Sequence, residues 1–81
     1  MSLRVLFFAS IADIVGQQTV ELDASLFADV GSIFARFEKD YPHLEAYRNM
    51  VLFAVNSEFA HADSAVKDGD EIAFFPPVSG G

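Results

Sequence analysis

Asp68-Gly69-Asp70-Glu71-Ile72-Ala73-Phe74-Phe75-Pro76-Pro77-Val78-Ser79-Gly80-Gly81 reads as a turn, a strand and a tail, in that order. Glycine between two aspartates suits a tight turn. Along the strand that follows, side chains alternate between the two faces of a sheet, so Ile72 and Phe74 share one face while Glu71, Ala73 and Phe75 share the other. Phe75 is therefore expected to point outward. Pro76 and Pro77 hold φ near the polyproline value and carry the chain off the strand in an extended course, which predicts a folded domain over 1–75 and a flexible tail over 76–81. Gly80 and Gly81 have no Cβ and can enter a channel too narrow for other residues. A lone terminal Gly-Gly often marks only a frayed end. Behind Phe-Phe-Pro-Pro-Val-Ser it reads as the working part, with the carboxylate of Gly81 as its chemical handle.

The remaining elements fall into place around that strand. Leu3 to Ala9 is rich in β-branched and aromatic residues and predicts a buried strand; Ile11 to Val15 predicts a helical turn closed by Gly16. Thr19 to Leu22 alternates as a second strand, paired with the first. The main helix is expected after an Asp29 N-cap, since Val30, Ile33, Phe34 and Phe37 follow the spacing of one apolar face, and Tyr41-Pro42 ends it. His43 to Met50 is ambiguous. Val51 to Val55 predicts a third strand, Asn56-Ser57 a turn with positive φ, and Phe59 the start of a short return strand. One helix laid across a mixed sheet is an α+β roll, with the other face of the sheet partly open.

In the first strand Arg4, Leu6 and Phe8 oppose Leu3, Val5 and Phe7. If the first and last strands are neighbours, Leu6, Phe8 and Phe75 form an apolar patch on the helix-free face at the root of the tail, which suggests docking. Phe59 extends it. The competing reading places these aromatics in a second small core under His43 to Met50.

The 81 residues suffice for one domain with a single core; 52 % are hydrophobic and nine are Phe. Without cysteine the chain has neither disulfides nor a side-chain thiol. Twelve Asp and Glu against five Lys and Arg give a net charge of -7, which argues against nucleic acid and anionic membrane as partners and favours basic docking pockets. Arg4 followed by Val5 to Ala12 imitates a signal peptide, but the charge is single, the apolar run short, and cleavage would remove a strand. No segment is long enough to span a bilayer, and the cytoplasm is the expected compartment. Met1-Ser2-Leu3 is read as a start without functional meaning.

Val5-Leu6-Phe7-Phe8-Ala9, Ala54-Val55-Asn56 and the block from Asp68 to Gly81 together resemble the small subunits of molybdopterin synthase, a family of ubiquitin-like sulfur carriers. The resemblance runs through essentially the whole chain. It implies a β-grasp fold and a role for Gly81: a ubiquitin-activating-like adenylyltransferase uses ATP to form a C-terminal acyl adenylate, and a sulfur donor protein converts it to a thiocarboxylate. It further implies that Pro76, Pro77, Val78, Ser79 and Gly80 carry Gly81 into the active site of the large subunit, where sulfur passes to cyclic pyranopterin monophosphate in a heterotetramer. Docking in this family implies roles for Phe8, Phe59 and Phe75; parity alone leads to Leu6, Phe8 and Phe75. Ala12-Asp13 stands where many members have Arg-Glu, so a partner ion pair made by that arginine is not expected here. No bound cofactor and no metal are expected.

His61-Ala62-Asp63 offers two potential ligands without a third, and reads as a surface turn. His43 reads as a loop residue, with no nucleophile or orienting partner for a hydrolase. Asp68 and Asp70 read as turn residues rather than an acid–base pair. The rival assignments are a sulfur carrier for thiamine or tRNA thiolation, a ubiquitin-like modifier, and, from another class, a non-catalytic β-grasp interaction module.

Overall fold

A computed structural model describes residues 2–77. The chain runs β1 (Ser2–Phe7), α1 (Ala9–Val15), β2 (Thr19–Asp23), a 3₁₀ turn at Ala24–Leu26, α2 (Val30–Asp40), a second 3₁₀ segment at Pro42–Tyr47, β3 (Leu52–Val55), β4 (Glu58–Ala60) and β5 (Glu71–Phe75). The strands make one sheet in the order β2-β1-β5-β3-β4. β1 and β5 run parallel at its centre, while β1–β2, β3–β5 and β3–β4 are antiparallel. This is the α+β, β-grasp architecture of ubiquitin-like proteins.

Local chemistry sets the element boundaries. β1 stops at Phe7, earlier than its hydrophobic run suggests, because Ala9 takes φ 52° and turns the chain into α1. Gly16, at φ 79°, closes that helix with its N–H on the Ala12 carbonyl. Asp29 caps α2 as expected, and the capping box is completed by Ser32 rather than by a Glu or Gln: Asp29 Oδ1 accepts from the Ser32 N–H at 2.8 Å, and Ser32 Oγ accepts from the Asp29 N–H at 3.4 Å. Gly31 permits α2 to pack onto the 61–65 loop; its N–H donates to the Ala62 carbonyl at 2.7 Å, and a Cβ there would sit 3.0 Å from that oxygen.

The apolar face of α2 covers one side of the sheet. Val30, Ile33, Phe34 and Phe37 are buried against Leu3, Val5, Phe7, Ile72 and Phe74. Phe74 is fully enclosed, with ring centroids of Phe53 and Phe34 at 5.4 and 5.5 Å, and Phe37 meets Phe7 edge-on at 4.9 Å. Each such ring stabilises the fold by roughly 1.5–3 kcal/mol through burial. The ambiguous 43–50 stretch packs on this same side: Leu44 is fully buried in the main core and Tyr47 Oη donates to Ser10 Oγ at 2.9 Å. A second core under that stretch is therefore excluded. Phe59 remains 80 % exposed and Phe8 47 %. Among the described residues no helix is long and apolar enough to cross a membrane.

Candidate functional site: an open aromatic face at the tail root

Three rows of side chains cross the helix-free face, and the strand register places each of them. The row nearest the tail holds Phe8, Phe75 and Leu52, since Phe75 pairs with Leu52 and Phe8 follows the Phe7–Phe74 pair. The middle row runs Thr19, Leu6, Ala73, Ala54, Phe59. The far row holds Glu21, Arg4 and Glu71, with Arg4 Nη1 4.0 Å from Glu71 Oε2. The parallel β1–β5 pairing thus brings together Leu6, Phe8 and Phe75, and the antiparallel β3 and β4 add Phe59.

Phe75 is the hub. Its ring centroid lies 6.3 Å from that of Phe8, nearly perpendicular, and 6.0 Å from that of Phe59. Both distances lie within the range of favourable aromatic pairs. Phe8 is held outward by its backbone: at φ −123°, ψ 151° it prolongs the strand alternation, and its N–H donates to the Phe74 carbonyl at 3.2 Å. Leu52, 37 % exposed, and Met50, 49 % exposed, add apolar surface at the same end of the sheet. Alternation along β3 puts Leu52 on the face opposite Phe53, and the pairing with Phe75 puts it beside the tail root.

The turn before β5 anchors the strand that carries Phe75. Asp70 is 5 % exposed; its carboxylate accepts from Asn56 Nδ2 and from the Lys67 N–H, both at 2.9 Å, with Lys67 Nζ at 3.8 Å. Asn56 Oδ1 in turn accepts from the Glu71 N–H at 3.0 Å. Burial pushes the Asp70 carboxyl up, but these two hydrogen bonds and the Lys67 charge outweigh it and hold the group below its ordinary value. Because the carboxylate is favoured in the folded state, its stabilisation is present above the unfolded value near 3.9 and is lost as pH falls through the lower folded value. Asp70→Asn should lower stability at neutral pH by roughly 1–3 kcal/mol and flatten the acid limb, read by urea melts at neutral and acidic pH. An unchanged acid limb would remove Asp70 from this role.

His61 lies in a turn closed by Ser64, whose Oγ accepts from the His61 N–H at 3.0 Å, and His43 is exposed in the Pro42–Tyr47 segment. Among the described residues no cluster of three His, Cys, Asp or Glu is placed to hold a metal. Pro76 is partly buried and Pro77 exposed at the start of the tail; Val78, Ser79, Gly80 and Gly81 lie outside the described residues.

The model of the ThiS family matches residues 5–81. The chain is 38 % identical to the molybdopterin synthase sulfur carrier subunit of Haemophilus influenzae, over 98 % of this chain and 99 % of that one. It is 35 % identical to the subunit of the same name from Chlamydomonas reinhardtii, over 100 % of both. The crystal structure of SAMP1 from Haloferax volcanii superposes with a TM-score of 0.81 at 32 % identity, covering 100 % of both chains. From its N-terminal strand through the Gly-Gly end, the chain belongs to the ThiS family, with molybdopterin synthase sulfur carrier subunits as full-length relatives.

Proposed function

We propose that this chain is the sulfur carrier subunit of a molybdopterin synthase. The observation that carries this reading is the end-to-end similarity to sulfur carrier subunits, at up to 38 % identity, together with a family match that extends through Gly81. The open aromatic face at the tail root supports it, because a carrier must dock while presenting its end.

In this reading the Gly81 carboxylate attacks the α-phosphorus of ATP on a ubiquitin-activating-like adenylyltransferase and releases pyrophosphate. A carboxylate is a poor electrophile; the acyl adenylate has AMP as a good leaving group. A sulfide equivalent from a sulfur donor protein displaces AMP and leaves a thiocarboxylate, a soft and largely ionised nucleophile comparable in role to an activated cysteine. Phe75, Phe8, Phe59 and Leu6 dock the large subunit, and residues 76–80 lead Gly81 into its active site. There the thiocarboxylate sulfur forms a carbon–sulfur bond to cyclic pyranopterin monophosphate as the oxygen substituent on that carbon leaves, and water then cleaves the acyl–sulfur bond to restore the carboxylate. The narrow Gly-Gly passage limits premature hydrolysis. The large subunit supplies the acid, base and phosphate-binding groups, and two carriers per pterin make a heterotetramer the natural assembly.

Intact mass before and after incubation with ATP, the activating enzyme and a sulfur donor tests this. Exchange of one oxygen for sulfur, followed by conversion of the pterin precursor with the large subunit, is the expected result. The similarity to small archaeal modifier proteins favours one other reading, a ubiquitin-like modifier. Isopeptide conjugates to lysines, without pterin conversion, would select it.

A further inference from the structure

The middle row of the open face is graded. It begins with exposed Thr19 on β2 and ends with Phe59 on β4, passing Leu6, Ala73 and Ala54. On the β2 side the exposed neighbours are polar: Gln17, Gln18 and Thr19 lead into the strand, and Glu21 follows on the same face. On the other side lies Leu52, paired with Phe75 at the tail root, with exposed Met50 two residues before it in the chain. The apolar surface is thus displaced from the sheet's centre toward β3 and β4.

Charge bounds the same area. Among the described residues Arg4 pairs with Glu71, Arg36 with Asp40, Arg48 with Glu38 and Lys67 with Asp70. The acidic excess remains, and Glu21 and Glu71 in the far row border the apolar area on the open face, while Glu58 on the β4 edge pairs with Val55 and lies on the helix side of the sheet. A surface that complements this one is apolar at its centre and basic at its rim.

We infer that the partner receiving the tail seats across β5, β3 and β4, covering Leu52 together with Phe75 and Phe59, and leaves the β2 flank open. This rests on the proposed carrier role and adds to it the direction of docking, a contact residue at position 52 and the charge of the partner's rim. Leu52 shares the tail-side row with Phe75, so a partner that buries Phe75 from the β4 side cannot avoid it. Thr19 is the outward residue at the opposite flank, at the far end of the middle row from Phe59.

Affinity of the full-length chain for the molybdopterin synthase large subunit of the same organism tests the inference with three variants: Leu52→Gln, Thr19→Gln and Phe75→Ala. The first two introduce the same neutral side chain at opposite flanks, so net charge is unchanged. Leu52→Gln should weaken binding about tenfold or more, with Thr19→Gln left near the native value. Should Leu52→Gln lose its native melting transition, Leu52→Ala is read in its place. Native affinity in the Leu52 variant, with Phe75→Ala weakened, overturns the inference and leaves the carrier role standing. Equal weakening by Leu52→Gln and Thr19→Gln also overturns it, since the whole face is then covered. Unchanged affinity in all three variants, or no binding by the native chain, overturns the docking role on which the inference rests. Association of the native chain should slow as sodium chloride rises. A salt-independent rate would remove the basic rim.

Discussion

Deletion of Gly81 should abolish sulfur transfer while leaving the fold untouched. The shortened chain still ends in a carboxylate, on Gly80, so the chemistry of activation is not removed with the residue. What changes is reach: one residue of extended chain spans about 3.3–3.6 Å, and the reacting carbon falls short by that length at both the activating enzyme and the large subunit. Misplacement by about 1 Å can already cost about 10²-fold where reacting atoms must meet in near-attack geometry. We therefore expect no detectable thiocarboxylate by intact mass, and single-turnover pterin conversion reduced by at least about 10²-fold. The melting transition should coincide with that of the native chain, because the buried core lies between Leu3 and Phe74. Retained affinity for the large subunit would accompany the lost chemistry. A deletion variant that still gained sulfur and delivered it would refute the requirement for Gly81, and loss of affinity with normal thiocarboxylation would move the working part from Gly81 to the docking face.

Phe75→Ala should produce the second large effect, on association rather than on chemistry. Its ring joins Phe8 and Phe59 into one surface, with centroids at 6.3 and 6.0 Å. Removing it deletes the shared partner of both and opens a gap at the base of the tail. Aromatic residues near the centre of an interface commonly dominate its energy, and a loss of about 2 kcal/mol or more is expected, equivalent to about 30-fold in affinity. Phe75 faces away from the core, whose neighbouring rings Phe7, Phe34, Phe53 and Phe74 pack on the other side of the sheet. Circular dichroism should therefore stay native while calorimetry against the large subunit reports the loss. Unfolding of the variant would assign Phe75 to the core, and native affinity would take it out of the docking surface.

Much of this molecule was legible before its coordinates. Helix α2 carries its signals locally: Asp29 as N-cap, the spacing of Val30, Ile33, Phe34 and Phe37, and Pro42 after its end all act within a few residues of one another. Gly16, Asn56, Ser57 and Gly69 marked turns by the same logic, and each adopts positive φ, where the left-handed region requires it. The outward parity of Phe8 and Phe75 followed from alternation alone. Other features resisted because their signal is not local. The 43–50 stretch lacks a period, and its place is decided by Leu44 entering the main core and Tyr47 reaching Ser10, 37 residues away. Asp70 was legible as a turn residue but not as a buried carboxylate, because its partner Asn56 lies 14 residues upstream. The early end of β1 depends on Ala9 at positive φ, which an alanine does not advertise.

The sequence by itself determined the elements, the two-faced character of each strand, the acidic balance and the terminal motif, since these arise from side-chain size, charge and backbone preference over short spans. The tertiary structure alone decided which strands lie side by side. Pairing β1 in parallel with β5, and β5 with β3, assembled scattered outward residues into one aromatic face and brought Leu52 to the root of the tail. That assembly comes from burying the opposite face of every strand under α2, a contact among residues distant in sequence that no short stretch encodes.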